Sequence, residues 1–251
     1  MVMLRLLRAE CLKTKRTPFL LTHLLVPLII SGIFLAYYTY SPWDFQGKVT
    51  AYFQGLACGL PIIIGLVCAM ASEQEANAGH FQVMLATTNR KIMTYMAKLL
   101  LLLLFSLGAI FLSIAIFSIG FIELLHEVHF DYSFYSMAAC ILFGSHVIIY
   151  ILHLFVSLQF GKGASIGLGI VEALLVALLL TGLGDSIWPF LPYGWSGHFI
   201  SLWIIKSVGM DITLLEASLR HGIIACIGGI LVTFILSCLW FGKWEGRASE
   251  H

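Results

Sequence analysis

The chain has 251 residues, 60% of them hydrophobic and only 11% charged, with a formal net charge of +1 and a mean hydropathy of +0.96. A soluble domain carries roughly 25% charged residues, so this composition marks an integral membrane protein. The near-neutral balance offers nothing to nucleic acid, and six cysteines placed singly, without a CxxC pair, suggest neither a disulfide framework nor a zinc site.

In chain order, residues 1–18 form a basic segment with Leu4, Leu7 and Cys11 on one helical side, and Pro18 marks a turn. This predicts a cytosolic elbow helix lying in the interface against anionic lipid. The apolar run that follows is long and lacks a small-x-small cleavage site, so it reads as a retained span and not a signal peptide. Six stretches reach the about 20 residues that a helix needs to cross the hydrocarbon: Phe19–Tyr40, Val49–Ser72, Leu99–Phe121, Met137–Gln159, Ser165–Leu183 and His221–Phe241. With the amino terminus inside, only Lys48, Lys206 and Arg220 of the 14 lysines and arginines fall outside. That bias places both termini in the cytosol and makes residues 19–251 one six-span domain.

Residues 73–98, between the second and third spans, are the longest polar interruption with strong basic charge. Here Phe81, Met84, Leu85 and Thr88 recur at helical spacing on one face. A helix of this kind can lie in lipid headgroups, or it can be gripped in the groove of a soluble motor; periodicity fits both.

The external connections differ in character. A short first loop holds Trp43 and Asp44. The second carries Glu123, Glu127 and Asp131, which would share one face if the third span continued as a helix, despite mild like-charge repulsion. Positive-inside bias alone leaves acids outside; the alternative is that these three draw in a cationic ligand. The third loop, residues 184–220, is rich in aromatic rings, including Trp188 and Trp195. They read either as an aromatic belt or as a surface facing substrate. The apolar piece Phe199–Val208 is too short to cross, which predicts a re-entrant or interfacial helix.

Inside the bilayer, His153 and Glu172 sit at matched depth on spans joined by a short turn, so a hydrogen bond between them is expected. His146 lies two turns further along the same face. The pair reads as a polar point in a transport path, or as an interhelical clasp. A metal site built from all three would imply an intramembrane enzyme, but their spacing matches no zinc motif. Gly55-x-x-x-Gly59 and Gly163-x-x-x-Gly167 permit close helix approach. No GxxxxGK[ST] is present, so the chain has no Walker A loop of its own.

The strings RAECLKTKRT, YFQGLACGLPIIIGL and EQEANAGHFQVMLATTNRKIMTYMAKLL resemble the permease subunits of bacterial lantibiotic-immunity ABC transporters, within the type-two ABC exporter permeases. The resemblance is close over about the first 105 residues. It implies an all-α polytopic permease of the bacterial cell membrane, with six spans, an elbow helix, a cytosolic coupling helix and re-entrant helices before span six. Glu73, Glu75, Phe81, Met84, Leu85, Arg90 and Lys91 would then contact an ABC ATPase. That separate subunit, in two copies, would carry ATP and Mg, leaving this chain without cofactor or catalysis. A second six-span permease would complete the complex. The implied substrate is a cationic antimicrobial peptide, with bacitracin-like drugs or lipid as the alternative. From other classes, an intramembrane enzyme and a membrane scaffold stay open.

Overall fold

The computed structural model describes residues 2–15, 17–86, 91–127 and 130–247, and these contain helices and turns but no strand. The helices are α1 (Val2–Thr14), α2 (Phe19–Tyr38), α3 (Phe45–Asn77), α4 (Gln82–Ala86), α5 (Lys91–Ile119), α6 (Tyr132–Phe160), α7 (Lys162–Leu179), α8 (Pro192–Ser207) and α9 (Glu216–Lys243). Six segments are long and apolar enough to cross a membrane: α2, α3, α5 with the π-turn Gly120–Leu124, α6, α7, and α9 with the turn before it. The all-α, six-span architecture read from the sequence is the one found.

Local chemistry sets the ends. Asp44 caps α3 by accepting the Gly47 amide at 3.0 Å, and Asp131 caps α6 by accepting the Phe134 amide at 3.0 Å. Gly161, at φ 92°, supplies the left-handed residue that separates α6 from α7. With 33 residues, α3 is about 50 Å long at 1.5 Å per residue. It overshoots a hydrocarbon core of about 30 Å, and its carboxyl-terminal turns carry Glu73 and Glu75 beyond the apolar zone.

The expected short helix of the last external loop is α8. It begins at Pro192, earlier than Phe199, because proline suits the first helical position. One side of α8, including Trp195, Ile200 and Ile204, is buried in the bundle.

Helix contact through glycine occurs at other positions than the small-residue motifs suggest. A Cβ on Gly59, Gly163 or Gly167 would meet nothing within 4 Å, and one on Gly55 would meet only the Phe34 ring. A Cβ on Gly65 would come 2.7 Å from the Ser165 carbonyl, and one on Gly169 2.6 Å from the Pro61 carbonyl. So α3 and α7 are pressed backbone to backbone at Gly65 and Gly169. This approach assembles the buried polar centre.

Candidate functional site

At the cytosolic end of the bundle, as the topology above orients it, three helices meet around four charges. Lys98 Nζ of α5 donates to Glu10 Oε2 of α1 at 2.5 Å and lies 2.8 Å from Glu75 Oε1 of α3. Lys13 Nζ of α1 donates to Glu10 Oε1 and Glu75 Oε1, both at 2.7 Å. Glu10, Glu75 and Lys98 are almost wholly buried, so the cluster stands because two acids balance two bases. Burial opposes the Lys13 charge, but Glu10 and Glu75 outweigh it and hold that ammonium above its ordinary pKa. The Gln74 amide adds a bond to the Lys13 carbonyl at 2.6 Å.

Beyond this clamp the chain reverses through Gly79, His80 and Phe81, all with positive φ. That conformation is unusual for a phenylalanine, and burial of its ring holds it. Phe81 packs edge-on against Trp244, with centroids 5.1 Å apart, and the Arg247 guanidinium lies 5.8 Å from the Phe81 ring. Lys91 Nζ reaches the Trp244 carbonyl at 3.5 Å. The tail after α9 therefore fastens the reversal from below.

This arrangement corrects the expected coupling face. Phe81 and Met84 are buried in the chain's own core, and Leu85 is half-buried beside them, so the apolar stripe is turned inward. Phe81 packs on Trp244, a partner that periodicity within residues 73–98 could not reveal. Glu75 belongs to the clamp, and Glu73 forms a surface pair with Lys162 at 2.6 Å. Among the described residues, the outward edge consists of Asn77, Ala78, Gly79, His80, Gln82 and Ala86. Thr88 and Arg90 lie outside the described residues.

A second polar centre lies inside the bilayer. His153 Nε2 is 2.8 Å from Glu172 Oε2, and both side chains are fully buried, so the expected pair is present. His153 Nδ1 is 2.9 Å from Ser165 Oγ, which donates to the Gly65 carbonyl at 2.9 Å. Ser165 has one hydroxyl proton, so its oxygen accepts from Nδ1–H. Nε2 then either accepts from a neutral Glu172 carboxyl or donates to the carboxylate. Both arrangements hold the same number of protons and no net charge, which suits an apolar interior. The Tyr193 hydroxyl of α8 also meets the Glu172 carboxyl group.

His146 stands apart from this pair. Its Nδ1 is 2.7 Å from the Leu142 carbonyl, and the ring lies beside the carbonyl of Ala57, whose helical donor Pro61 removes. Among the described residues no group of three His, Cys, Asp or Glu side chains converges as a metal site.

On the other side of the membrane the three acids do not share a helical face, because α5 ends in the π-turn before Glu127. Glu123 accepts from the Tyr132 hydroxyl at 3.1 Å, Glu127 pairs with Lys48 at 3.0 Å, and Asp131 caps α6. Trp188 and Trp195 are likewise corrected: both are buried. Trp188 stacks on His198 with centroids 4.8 Å apart, and Trp195 Nε1 donates to the Pro189 carbonyl at 2.9 Å. The exposed rings at this end include Tyr40, Trp43, Tyr132 and Phe190.

Sequence reasoning missed Glu10 and Lys98 as partners. The signal was there, since Glu10 is the lone acid of the basic amino-terminal segment and Lys98 interrupts an apolar run. It also missed Ser31, Tyr52 and Ser113, which bind one another across α2, α3 and α5 at 3.0 Å.

A family model described as ABC-2 family transporter protein matches residues 6–179, from within α1 to the end of α7. No curated protein and no solved structure matches the chain.

Proposed function

The chain belongs to the ABC-2 family of transporter proteins, and on that premise we propose that it is the membrane-spanning subunit of an ABC exporter that expels a cationic, amphipathic antimicrobial peptide of the lantibiotic type. The observation that carries the coupling half of this reading is the cytosolic reversal. Its outward edge, around His80 and Gln82, is fastened to three helices by the four-charge clamp and to α9 by Trp244. A motor docking there would pull on the spans through ion pairs and packed rings instead of through a free loop. ATP and Mg belong to that separate ATPase, in two copies, since this chain has no Walker A loop. A second six-span permease would complete the transmembrane part. The reading of the substrate rests on the sequence resemblance and on a charge bias. In the proposed topology, with both termini cytosolic, the acids Asp44, Glu123, Glu127, Asp131, Asp185, Asp211 and Glu216 face three bases outside.

The test is survival of a sensitive bacterium that expresses this chain with its ATPase and second permease, challenged with a cationic lantibiotic. Protection that disappears when the ATPase is made unable to hydrolyse ATP is the expected result. Protection that persists without hydrolysis would identify a scaffold. Protection against bacitracin alone would move the substrate to that class.

A further inference from the structure

In its outer half α2 is tied to α3 through Ser31 and Phe34. Toward α1 it leans on α5, where Phe19 and His23 pack against Phe105. A cleft is left between α2 and α3, with α5 as its floor, and it contains a cavity of about 60 Å³. Gly59 keeps it open: it is half-buried and a Cβ there would project into free space, so the cleft opens sideways toward the bilayer at this residue, while the Phe34 ring lies beside Gly55.

The cavity is mostly apolar, and of its polar lining Thr22 and Ser113 are hydrogen-bonded to neighbours, whereas His23 is only half satisfied. His23 is 8% exposed, and its Nδ1 lies 2.7 Å from the Phe19 carbonyl. A carbonyl only accepts, so Nδ1 carries the proton and Nε2 is left as a bare acceptor, buried and without a partner. The His23 carbonyl also has no helical donor, since the residue four further on is Pro27, which has no N–H. Across the cavity Ser106 Oγ is 2% exposed and meets the Tyr150 hydroxyl. A buried acceptor such as Nε2 is rarely left bare without an occupant.

The lining also limits what the occupant is. It holds no carboxylate to neutralise an ammonium and no lysine or arginine to meet a phosphate. The bare Nε2 of His23 needs a donor, and Ser106 can give or accept. The volume suits one small polar group with a few attached carbons. His23 lies four residues inside the start of α2, about 6 Å along the helix, a depth at which a small headgroup can sink below the phosphates. We propose that this cleft binds an uncharged lipid carrying a hydroxyl headgroup. The hydroxyl would donate to His23, and the acyl chains would leave sideways past Gly59. The site is distinct from the peptide reading above and does not depend on it.

The probe is a photoreactive diacylglycerol with a diazirine next to the hydroxyl-bearing end, compared with a phosphatidylcholine carrying the same diazirine and chains. Both are tested on the purified full chain in phosphatidylcholine nanodiscs. The expected result is labelling of α2 and α3 peptides by the diacylglycerol probe about tenfold above the phosphatidylcholine probe, the scale of one or two hydrogen bonds. His23→Leu, which removes the acceptor, and Gly59→Leu, which fills the cleft, should each bring labelling down to the control. If either variant loses its monodisperse profile, Ser106→Ala removes a polar atom without adding bulk and carries the comparison. Equal labelling by both probes would mean ordinary lipid at the helix surface. No labelling by either would mean that water alone fills the cavity. Labelling unchanged in the variants would place the site elsewhere. Each of these overturns the proposal.

Discussion

The two buried polar centres of this bundle solve the same problem in opposite ways. The clamp of Glu10, Lys13, Glu75 and Lys98 uses four full charges, and each acid bridges both bases. The His153–Glu172 pair, deeper in the membrane, uses two groups that can share their protons without net charge, positioned by one serine and one backbone carbonyl. The difference teaches where rigidity is placed. A four-charge cluster is costly to open because any member removed leaves its partners unbalanced. A proton-sharing pair tolerates replacement by another hydrogen-bonding group. The first therefore suits a fixed joint behind the reversal after α3, and the second a contact between spans that can rearrange.

The largest effect should come from breaking the clamp. Glu75→Ala leaves two lysine ammonium groups facing Glu10 alone, which should cost about 3–5 kcal/mol. It should be read as loss of monodisperse protein on heating well below the wild-type midpoint. A wild-type heating curve would show that the charges are not essential. The pH sense follows from Lys13. Its pKa is raised above the ordinary 10.5, so its contribution is complete below that value and fades only as pH rises through the higher folded value. Heating curves should therefore show no loss from this residue between neutral pH and about 10.

Next comes the helix contact that assembles the second centre. Gly169→Ala drives a methyl against the Pro61 carbonyl and should cost about 1–3 kcal/mol by overpacking. Gly163→Ala and Gly167→Ala meet open space and should be neutral or stabilising by up to about 1 kcal/mol. Parallel heating curves for the three variants check this ordering. Equal behaviour would mean that α3 and α7 are not held backbone to backbone.

A smaller effect is expected at Glu172. Glu172→Gln keeps a donor and an acceptor opposite His153, so folding should change by about 1 kcal/mol or less. If the pair works during transport, protection against peptide should nevertheless fall. Normal protection would leave it as a clasp. Near-complete loss of expression would contradict the proton-sharing account and favour an obligate ion pair.

The smallest effect is at the outer surface, where charge does only local work. Asp131→Asn should leave α6 intact because asparagine also caps, whereas Asp131→Ala should fray its first turn, which amide exchange at Phe134 can report. The Phe134 amide and Ser133 hydroxyl hold the Asp131 carboxyl below its ordinary 3.8. The cap is thus complete above that value and lost as pH falls through the lower folded one. Impaired protection in Asp131→Asn that recovers at high salt would restore a steering role for this charge.

How far the sequence could be read follows from the range of each signal. The spans and the His153–Glu172 pair were legible because length and a short turn determine them. The inward turn of Phe81 and Met84 was not, because their partner Trp244 lies more than 150 residues away. An amphipathic stripe reports that a face is covered, not by what. Trp188 and Trp195 failed for the same reason, since belt and core rings share one composition. The contact glycines Gly65 and Gly169 lie on different helices, where no single-segment motif can register them.

The central claim is that a motor subunit grips the outward edge of the reversal after α3, with Phe81 and Met84 turned in behind it. A photoreactive amino acid placed at Gln82, and separately at Met84, tests this directly in the complex assembled with the ATPase. The account predicts a crosslink to the ATPase from position 82 and an internal crosslink, to the segment around Trp244, from position 84. A crosslink to the ATPase from position 84 with none from 82 would contradict it.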